Sequence, residues 1–199
     1  MAASVAKKAA ASPPVKLFKD QRSWDDWLVK YGESSPGLWM RMAKKSAKLK
    51  SVTYPEAVEV SLCHGWIDGQ RKTFDAESWI QKFTPRRPRS IWSRINRTKA
   101  LELIEAGRMR PSGHAAIEKA KESGLWAAAY DSHRTAVPPS DLEIALEQSP
   151  TAKAFFQTLN SQNRYAILFR IQTAKKSETR KRRIEKFVAM LEAHRKLYP

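Results

Sequence analysis

Residues 83–97, FTPRRPRSIWSRINR, gather five arginines (Arg86, Arg87, Arg89, Arg94 and Arg97) around two prolines, with Trp92, Ser93 and Asn96 between them. A guanidinium group holds phosphate or carboxylate through two parallel hydrogen bonds. A serine at a helix start adds backbone N–H groups aimed at an anion. A tryptophan offers a face on which a base, a ring or a guanidinium stacks. The stretch just before it reads as a hairpin that would bring Asp68, Arg71 and Lys72 alongside. The anion-binding set is therefore Arg71, Lys72, Arg86, Arg87, Arg89, Trp92, Ser93, Arg94 and Asn96. The competing reading makes Trp66, Trp79 and Trp92 core residues. The arginines would then neutralise the chain's own carboxylates, Asp68, Asp75 and Glu77 among them.

Other chemistry is thinly supplied. Cys63, His64 and Asp68 are the one compact nucleophile and acid–base set, but neighbours at a helix end diverge, and a buried cysteine is commonly inert. No catalytic residue is assigned. The four histidines (His64, His114, His133 and His194) lack metal-ligand spacing, and no phosphate-binding glycine loop or nucleophile elbow occurs. No metal or cofactor is expected. A second basic surface lies in AKKSETRKRRIEK, where Arg180, Arg182, Arg183 and Lys186 would face nucleic acid, anionic lipid or an acidic protein. The plain alternative is a solvated helix face. Arg180 falls near the apolar stripe and is expected to reach carboxylates of the N-terminal domain.

The elements that must position these groups follow from composition and pattern. The chain has 199 residues, 42% of them hydrophobic, with seven tryptophans, enough to bury a core. Its net charge is +17, which favours polyanionic partners. The excess is spread: four cations and no acids in residues 1–19, 21 against 14 in 20–136, and 12 against 6 in 137–199. A neutral enzyme with one basic tail is excluded. The single cysteine excludes an intramolecular disulfide. No run is apolar enough for a secretory signal or a membrane span, so a cytoplasmic location is expected.

Ser23 with Asp26 reads as a helix start, followed by Trp24, Trp27, Leu28 and Tyr31 on one face and Gly32 at the end. Leu38, Met40 and Met42 alternate as one face of a strand. Thr53 with Glu56 caps a helix that runs to about Cys63. Residues 65–72 and 77–83 form a hairpin joined by TFDA, although Asp68-Gly69 is itself a turn dipeptide. A helix from about Ser93 to Ala106 turns Ala100, Leu101 and Ile104 inward, and another starts after Ser112 and stops at Gly124. Beyond a connector the chain is helical, with starts at Ser140 (paired with Glu143), at Ser149-Pro150 and near Ser177. Ile167, Leu168 and Ile171 mark a further segment.

The order SWDDWL, SPGLWMRMAKK, SVTYPEAVEVSLCHGWIDGQRK, FTPRRPRSIWSRIN, LIEAGRMRPSG resembles the YdeI/OmpD-associated, or bacteriocin-protection, family of bacterial proteins. The stretch from PPSDLEIALEQSPTAKAFF to AKKSETRKRRI looks like the small helical module that ends that family. The resemblance spans roughly residues 20–195. It implies protection against antimicrobial peptides or envelope stress and carries over no catalytic residue. His64 stands where the family usually has an aromatic residue, so any role for it is peculiar to this chain; its expected job is packing at a helix end.

The expected architecture is α+β: a disordered tail at 1–16, a domain at 17–125 with a small antiparallel sheet of about three strands covered by helices, a linker at 126–137, and a helical module at 138–199. The expected function is non-enzymatic binding of an anionic partner, nucleic acid or a phosphorylated ligand, in a stress or bacteriocin-protection context that rests on the resemblance. The alternatives are an enzyme on a small anionic substrate using a cleft near 64–97, and a protein-interaction module whose basic C-terminal helix docks an acidic partner. The sequence leaves the oligomeric state open.

Overall fold

Leu38, Met40 and Met42 are at most 1% exposed, which makes them the inner face of a strand, β2 (Leu38–Ala43). In the computed structural model, which describes residues 13–199, β2 lies within a four-stranded sheet. The strand β1 (Val15–Leu17) pairs with it in parallel, and the hairpin β3 (Trp66–Thr73) and β4 (Ser78–Pro85) completes the order β1-β2-β4-β3. The α+β class holds, with four strands rather than three. β1 is the unexpected one: three exposed residues carry too little pattern to read, and it begins two residues before the expected domain start. The expected tail at 1–16 otherwise falls on residues 1–12, outside the described residues.

The TFDA loop joins the hairpin as expected. Asp68-Gly69 makes a bulge instead of a turn: the register shifts between Asp68 and Arg71, and the buried Gln81 donates to the Gly69 carbonyl at 2.8 Å. That bond satisfies a buried amide that would otherwise be costly.

Two helices cover the inner face. The helix α1 (Gln21–Tyr31) starts three residues earlier than expected. Asp20 is the cap, accepting from Ser23 N at 2.8 Å, and Ser23 Oγ accepts in return from Asp20 N. Gly32 ends it, as expected. The Thr53/Glu56 capping box opens α2 (Tyr54–Cys63), also as expected. The fully buried Trp24 ties the two helices together, its Nε1 donating to Ala57 O at 3.2 Å and to Ser61 Oγ at 3.3 Å. Phe18, Trp24, Trp27, Trp66 and Phe83 pack ring to ring around it. Such an aromatic cluster gives a small sheet most of its apolar burial.

Next come α3 (Arg94–Glu105) and α4 (Pro111–Glu122). In α3 Ala100 is buried as expected, but Leu101 is 52% exposed and Leu103 takes the inner place. The chain divides into two units, residues through Ser90 with Lys99–Ser123, and Ile91–Thr98 with Gly124–Pro199. The division passes through α3.

In the second unit the expected linker is packed. Tyr130 N donates to Trp92 O at 2.9 Å and Arg94 N to Tyr130 O at 2.8 Å, while Leu125 and Ala129 are buried. Four helices follow: α5 (Ser140–Glu147), α6 (Pro150–Thr158), α7 (Ser161–Gln172) and α8 (Ser177–Glu192). Ser149 caps α6 as expected, but Pro139 rather than Ser140 precedes α5, so the expected Ser140/Glu143 box does not form. Leu142, Ile167, Ile171 and Leu191 are fully buried at the centre of this bundle.

Arg180, expected to reach carboxylates of the N-terminal domain, pairs instead within its own module. It grips Asp141 at the start of α5 with Nε at 2.5 Å and Nη2 at 2.8 Å, and donates from Nη1 to Ile171 O at 3.1 Å. Its partner lies 39 residues away in the same module, a pairing no local spacing announces. Arg180→Ala should destabilise this unit by about 1 kcal/mol, because the pair is two-pronged yet partly exposed. Arg182→Ala, on the exposed face of the same helix, should fall within about 0.5 kcal/mol of the parent. Urea midpoints for the two variants check the contrast; equal midpoints would refute it.

Candidate anion-binding cleft

The first unit is organised around one close approach of backbone. After α2 the chain turns at Gly65, whose φ is +71°, and the first turn of α4 lies against that turn. A Cβ on Gly113 would sit 2.3 Å from Cys63 O, and one on Gly65 would sit 2.7 Å from Ser112 O. Only glycine permits this contact. Arg110 N donates to Cys63 O at 3.1 Å and closes it. Replacing Gly113 by alanine should therefore cost about 1–3 kcal/mol by forcing α4 outward, read as a lowered urea midpoint.

That approach gathers three side chains distant in sequence. His64 Nε2 lies 2.7 Å from Asp25 Oδ1, and Arg110 Nη2 donates to Asp25 Oδ2 at 2.9 Å. The His64 side chain is 8% exposed and Asp25 30%. With the carboxylate ionised, the tautomer carrying its proton on Nε2 donates to it. Burial works to raise the Asp25 pKa, but the hydrogen bond from His64 and the charge and hydrogen bond of Arg110 outweigh it and hold the group below its ordinary value. Burial pushes the Cys63 thiol above its ordinary value, which disfavours the thiolate a nucleophile needs.

Two clefts flank this cluster and share Arg110 and Pro111 as a wall. One, of about 610 Å³, runs past Gln21, Arg22, Asp25, Cys63 and Arg108. The other, of about 630 Å³, is lined by His64, Arg86, Arg110, Ser112 and Lys119, with Glu33 as its one acid. Its apolar wall is Leu28, Val29, Trp66, Pro85, Ala115 and Ala116. Arg108 is engaged by Glu59 at 3.0 Å, whereas among the described residues no ion pair involves Arg22 or Lys119. Among the described residues no group of three or more His, Cys, Asp or Glu could hold a metal ion, and no helix is long and apolar enough to cross a membrane.

The expected anion-binding residues fall into two groups. Arg71, Lys72, Arg86, Arg87 and Arg89 belong to the first unit, and Trp92, Ser93, Arg94 and Asn96 to the second. Of the first group only Arg86 lines the cleft. Arg71 stacks on the Trp79 ring at 4.1 Å and Lys72 lies 4.9 Å from the Trp39 ring. Arg87 and Arg89 are exposed around a turn closed by Arg87 N to Ser90 Oγ at 2.9 Å. In the second group Trp92 is 2% exposed, edge-on to Trp126, so its face is not offered to a base. Arg94 Nε is 3.1 Å from Asp131 Oδ1, and Ser93 Oγ accepts from Asn96 N at 3.1 Å. Trp92, Ser93 and Arg94 fasten the 124–131 segment. The second basic surface is also divided: Arg182 and Lys186 are exposed, Arg180 is bound to Asp141, and Arg183 Nη1 donates to Arg170 O. Arg110, Lys119 and Asp25 escaped sequence reading because no spacing links them to His64; the glycine of PSGH at the start of α4 was the available clue.

What these observations define is a two-unit α+β protein whose sheet-bearing unit carries a cationic cleft. The chain belongs to the family described as Domain of unknown function (DUF8412), whose model matches residues 16–116, just over half its length. Residues 135–194 match the model described as Bacteriocin-protection, YdeI or OmpD-Associated, so the expected family is present as a C-terminal domain, while GWIDG and FTPR lie in the other match. No curated protein and no solved structure matches the chain.

Asp25 supplies a prediction about pH. Its folded pKa is depressed, so its stabilising contribution is present above the ordinary carboxylate range and is lost as pH falls through the folded value. Asp25→Asn should cost up to about 1 kcal/mol at neutral pH, allowing for solvent screening, and measurably less at about pH 3, where the loss of that contribution has begun. Urea titrations at the two pH values test this; a penalty unchanged in acid would show that the ion pairs do not carry it.

Proposed function

We propose that this protein binds an anionic partner without transforming it, and that the partner enters the first unit through the cleft between α1 and α4. One observation carries the reading: Arg86, Arg110 and Lys119 share a 630 Å³ cleft with His64 and meet one lining carboxylate, Glu33. Arg110 is shared with Asp25, so Lys119, which no ion pair among the described residues engages, carries most of the positive field inside partly apolar walls, where a charge-assisted hydrogen bond gains strength. The net charge of +17 draws anions toward the whole surface and so supports the reading less specifically. A stress or bacteriocin-protection context is suggested by the name of the family matched at 135–194.

The cleft favours a small phosphorylated or carboxylated ligand over a nucleic-acid backbone. A concavity of this volume suits small molecules, whereas a nucleic acid needs a long exposed track. The exposed Arg71, Lys72, Arg87 and Arg89 would serve the latter. The alternative of an enzyme on a small anionic substrate finds support in one feature, the hydrogen bond that orients His64 against Asp25, since an oriented imidazole is what general-base catalysis requires.

Titration of the full chain with inorganic phosphate, followed by NMR, is the test. Shifts should centre on His64, Arg110 and Ser112. Arg110→Ala or Lys119→Glu should weaken binding about tenfold. Shifts scattered over surface lysines and indifferent to both variants would overturn the proposal. So would labelled oligonucleotide binding that is tight, steep in salt and untouched by the variants, which would place the partner on the exposed arginines instead.

A further inference from the structure

The sheet of the first unit has two faces, and the core accounts for one of them. Leu38, Met40 and Met42 turn one side of β2 into the core, so Trp39 and Arg41 between them stand on the opposite face. Register carries that outer face across all four strands. On β1, Val15 is opposite Trp39 and Leu17 is opposite Arg41. On β4, Lys82 is opposite Trp39 and Ile80 is opposite Arg41, and Lys72 of β3 is opposite Ile80. Residues paired in this way share a face. The side chains agree with the register: the ammonium groups of Lys72 and Lys82 lie 4.9 and 5.9 Å from the centre of the Trp39 ring.

The distribution of apolar groups narrows the partner. Trp39 and Ile80, in the middle of the face, are only 8% and 9% exposed, and the Trp39 ring is already engaged by two cations. The open apolar groups stand at the rim: Val15 and Leu17 on the edge strand, 45% and 41% exposed, and Phe74 at the tip of the hairpin, 48% exposed. A protein partner is gripped by an open apolar centre inside a polar rim, the reverse of this order. Single-stranded nucleic acid needs an open aromatic face for its bases, and Trp39 offers none.

Charge points the same way. No acid stands among these face residues. Arg41 is taken by Asp75 at 2.6 Å and is not available, but among the described residues no ion pair involves Lys72 or Lys82. Phe74 is held beside the face, with the Arg41 guanidinium 5.1 Å from its ring centre. Lys44 Nζ fixes the tip by donating to Asp75 O at 2.9 Å and Ala76 O at 3.0 Å. The loop that begins at Lys44 then presents Lys45, Lys48 and Lys50, all exposed. A second copy laid on this face would set lysine against lysine.

We infer that the outer face of the sheet docks on an anionic lipid surface. None of its residues lines the cleft, so this site is separate from the one proposed above. Lys72, Lys82 and the loop lysines meet the charged headgroups, while Phe74, Leu17 and Val15 enter the headgroup layer beside them.

Sedimentation of the full chain with vesicles tests this, comparing phosphatidylcholine alone with phosphatidylcholine and phosphatidylglycerol in equal parts. The chain should sediment with the mixed vesicles and not with the neutral ones, and binding should weaken steeply as salt is raised. Lys72→Glu should weaken it about tenfold or more. Phe74→Ser and Leu17→Ser should each weaken it severalfold. All three side chains are exposed, and the two apolar variants lie on different strands or loops, so a folding defect in one leaves the other to decide. Arg182→Glu, matched in charge but in the second unit, should have little effect. Absence of binding to the mixed vesicles would overturn the inference, as would binding indifferent to both apolar variants. Equal losses from Lys72→Glu and Arg182→Glu would show net charge acting alone and would also overturn it. A labelled single-stranded oligonucleotide bound in place of vesicles, lost in Lys72→Glu and kept in Phe74→Ser, would make the face a nucleic-acid track instead.

Discussion

The constraint on which the first unit depends is the contact between the Cys63–Gly65 turn and the start of α4. It needs no side chain at Gly65 or Gly113, since a Cβ at either would stand under 3 Å from a carbonyl oxygen. Its consequence is chemical. Because the backbones nearly touch, Arg110 reaches Asp25, Asp25 fixes His64, and a wall shared by two clefts rises between α1 and α4. The buried Trp24, bonded to α2 from α1, holds the other side. Glycines in a chain this basic set the distances between the charges.

A surplus of arginines does not make every arginine a ligand for something outside. Arg41 is held 2.6 Å from Asp75, Arg94 3.1 Å from Asp131 and Arg108 3.0 Å from Glu59, so much of the charge is spent on organising loops and helix ends. The carboxylates are the scarcer species, and each acts as a local anchor. Asp75 takes the guanidinium of Arg41, the Ser78 hydroxyl and the backbone N–H of Glu77 at once. Hydrogen bonds from Ser78 and its neighbours hold its pKa below the ordinary value. The cations that remain for a partner are those no such anchor claims, and Lys119 in the cleft is one of them.

Much of the architecture was legible because it is local. The Thr53/Glu56 box, the alternation of Leu38, Met40 and Met42, the hairpin around TFDA and the Ser149 cap each follow from residues a few positions apart. What escaped depends on distance along the chain. β1 is three residues long and pairs in parallel with a strand more than 20 residues on, so neither length nor hairpin spacing announces it. For Arg180, an arginine beside an apolar stripe signals a carboxylate partner without saying whose, and Asp141 is 39 residues away. The quoted run of arginines was legible as a motif, not as a surface. Its prolines and helix start are where they were expected, yet Trp92 is turned inward and Arg94 is held by Asp131.

The two family matches bear on different parts of this argument. The bacteriocin-protection model covers residues 135–194, a helical bundle whose conspicuous polar feature is the Arg180–Asp141 grip, an internal tie between α8 and the start of α5. The cleft lies almost wholly in the other match: its lining from Leu28 to Ala116 falls within residues 16–116, and Lys119 lies three residues past them. A name attached to the bundle therefore says nothing about what the cleft holds. The chemistry of the cleft has to be read from its own lining, Arg110 at the cap of α4 and Lys119 on that helix, and the work of the bundle from its exposed Arg182 and Lys186. A partner that engaged only the bundle would be indifferent to changes at His64 and Arg110, so variants of the cleft and variants of the bundle ask separate questions.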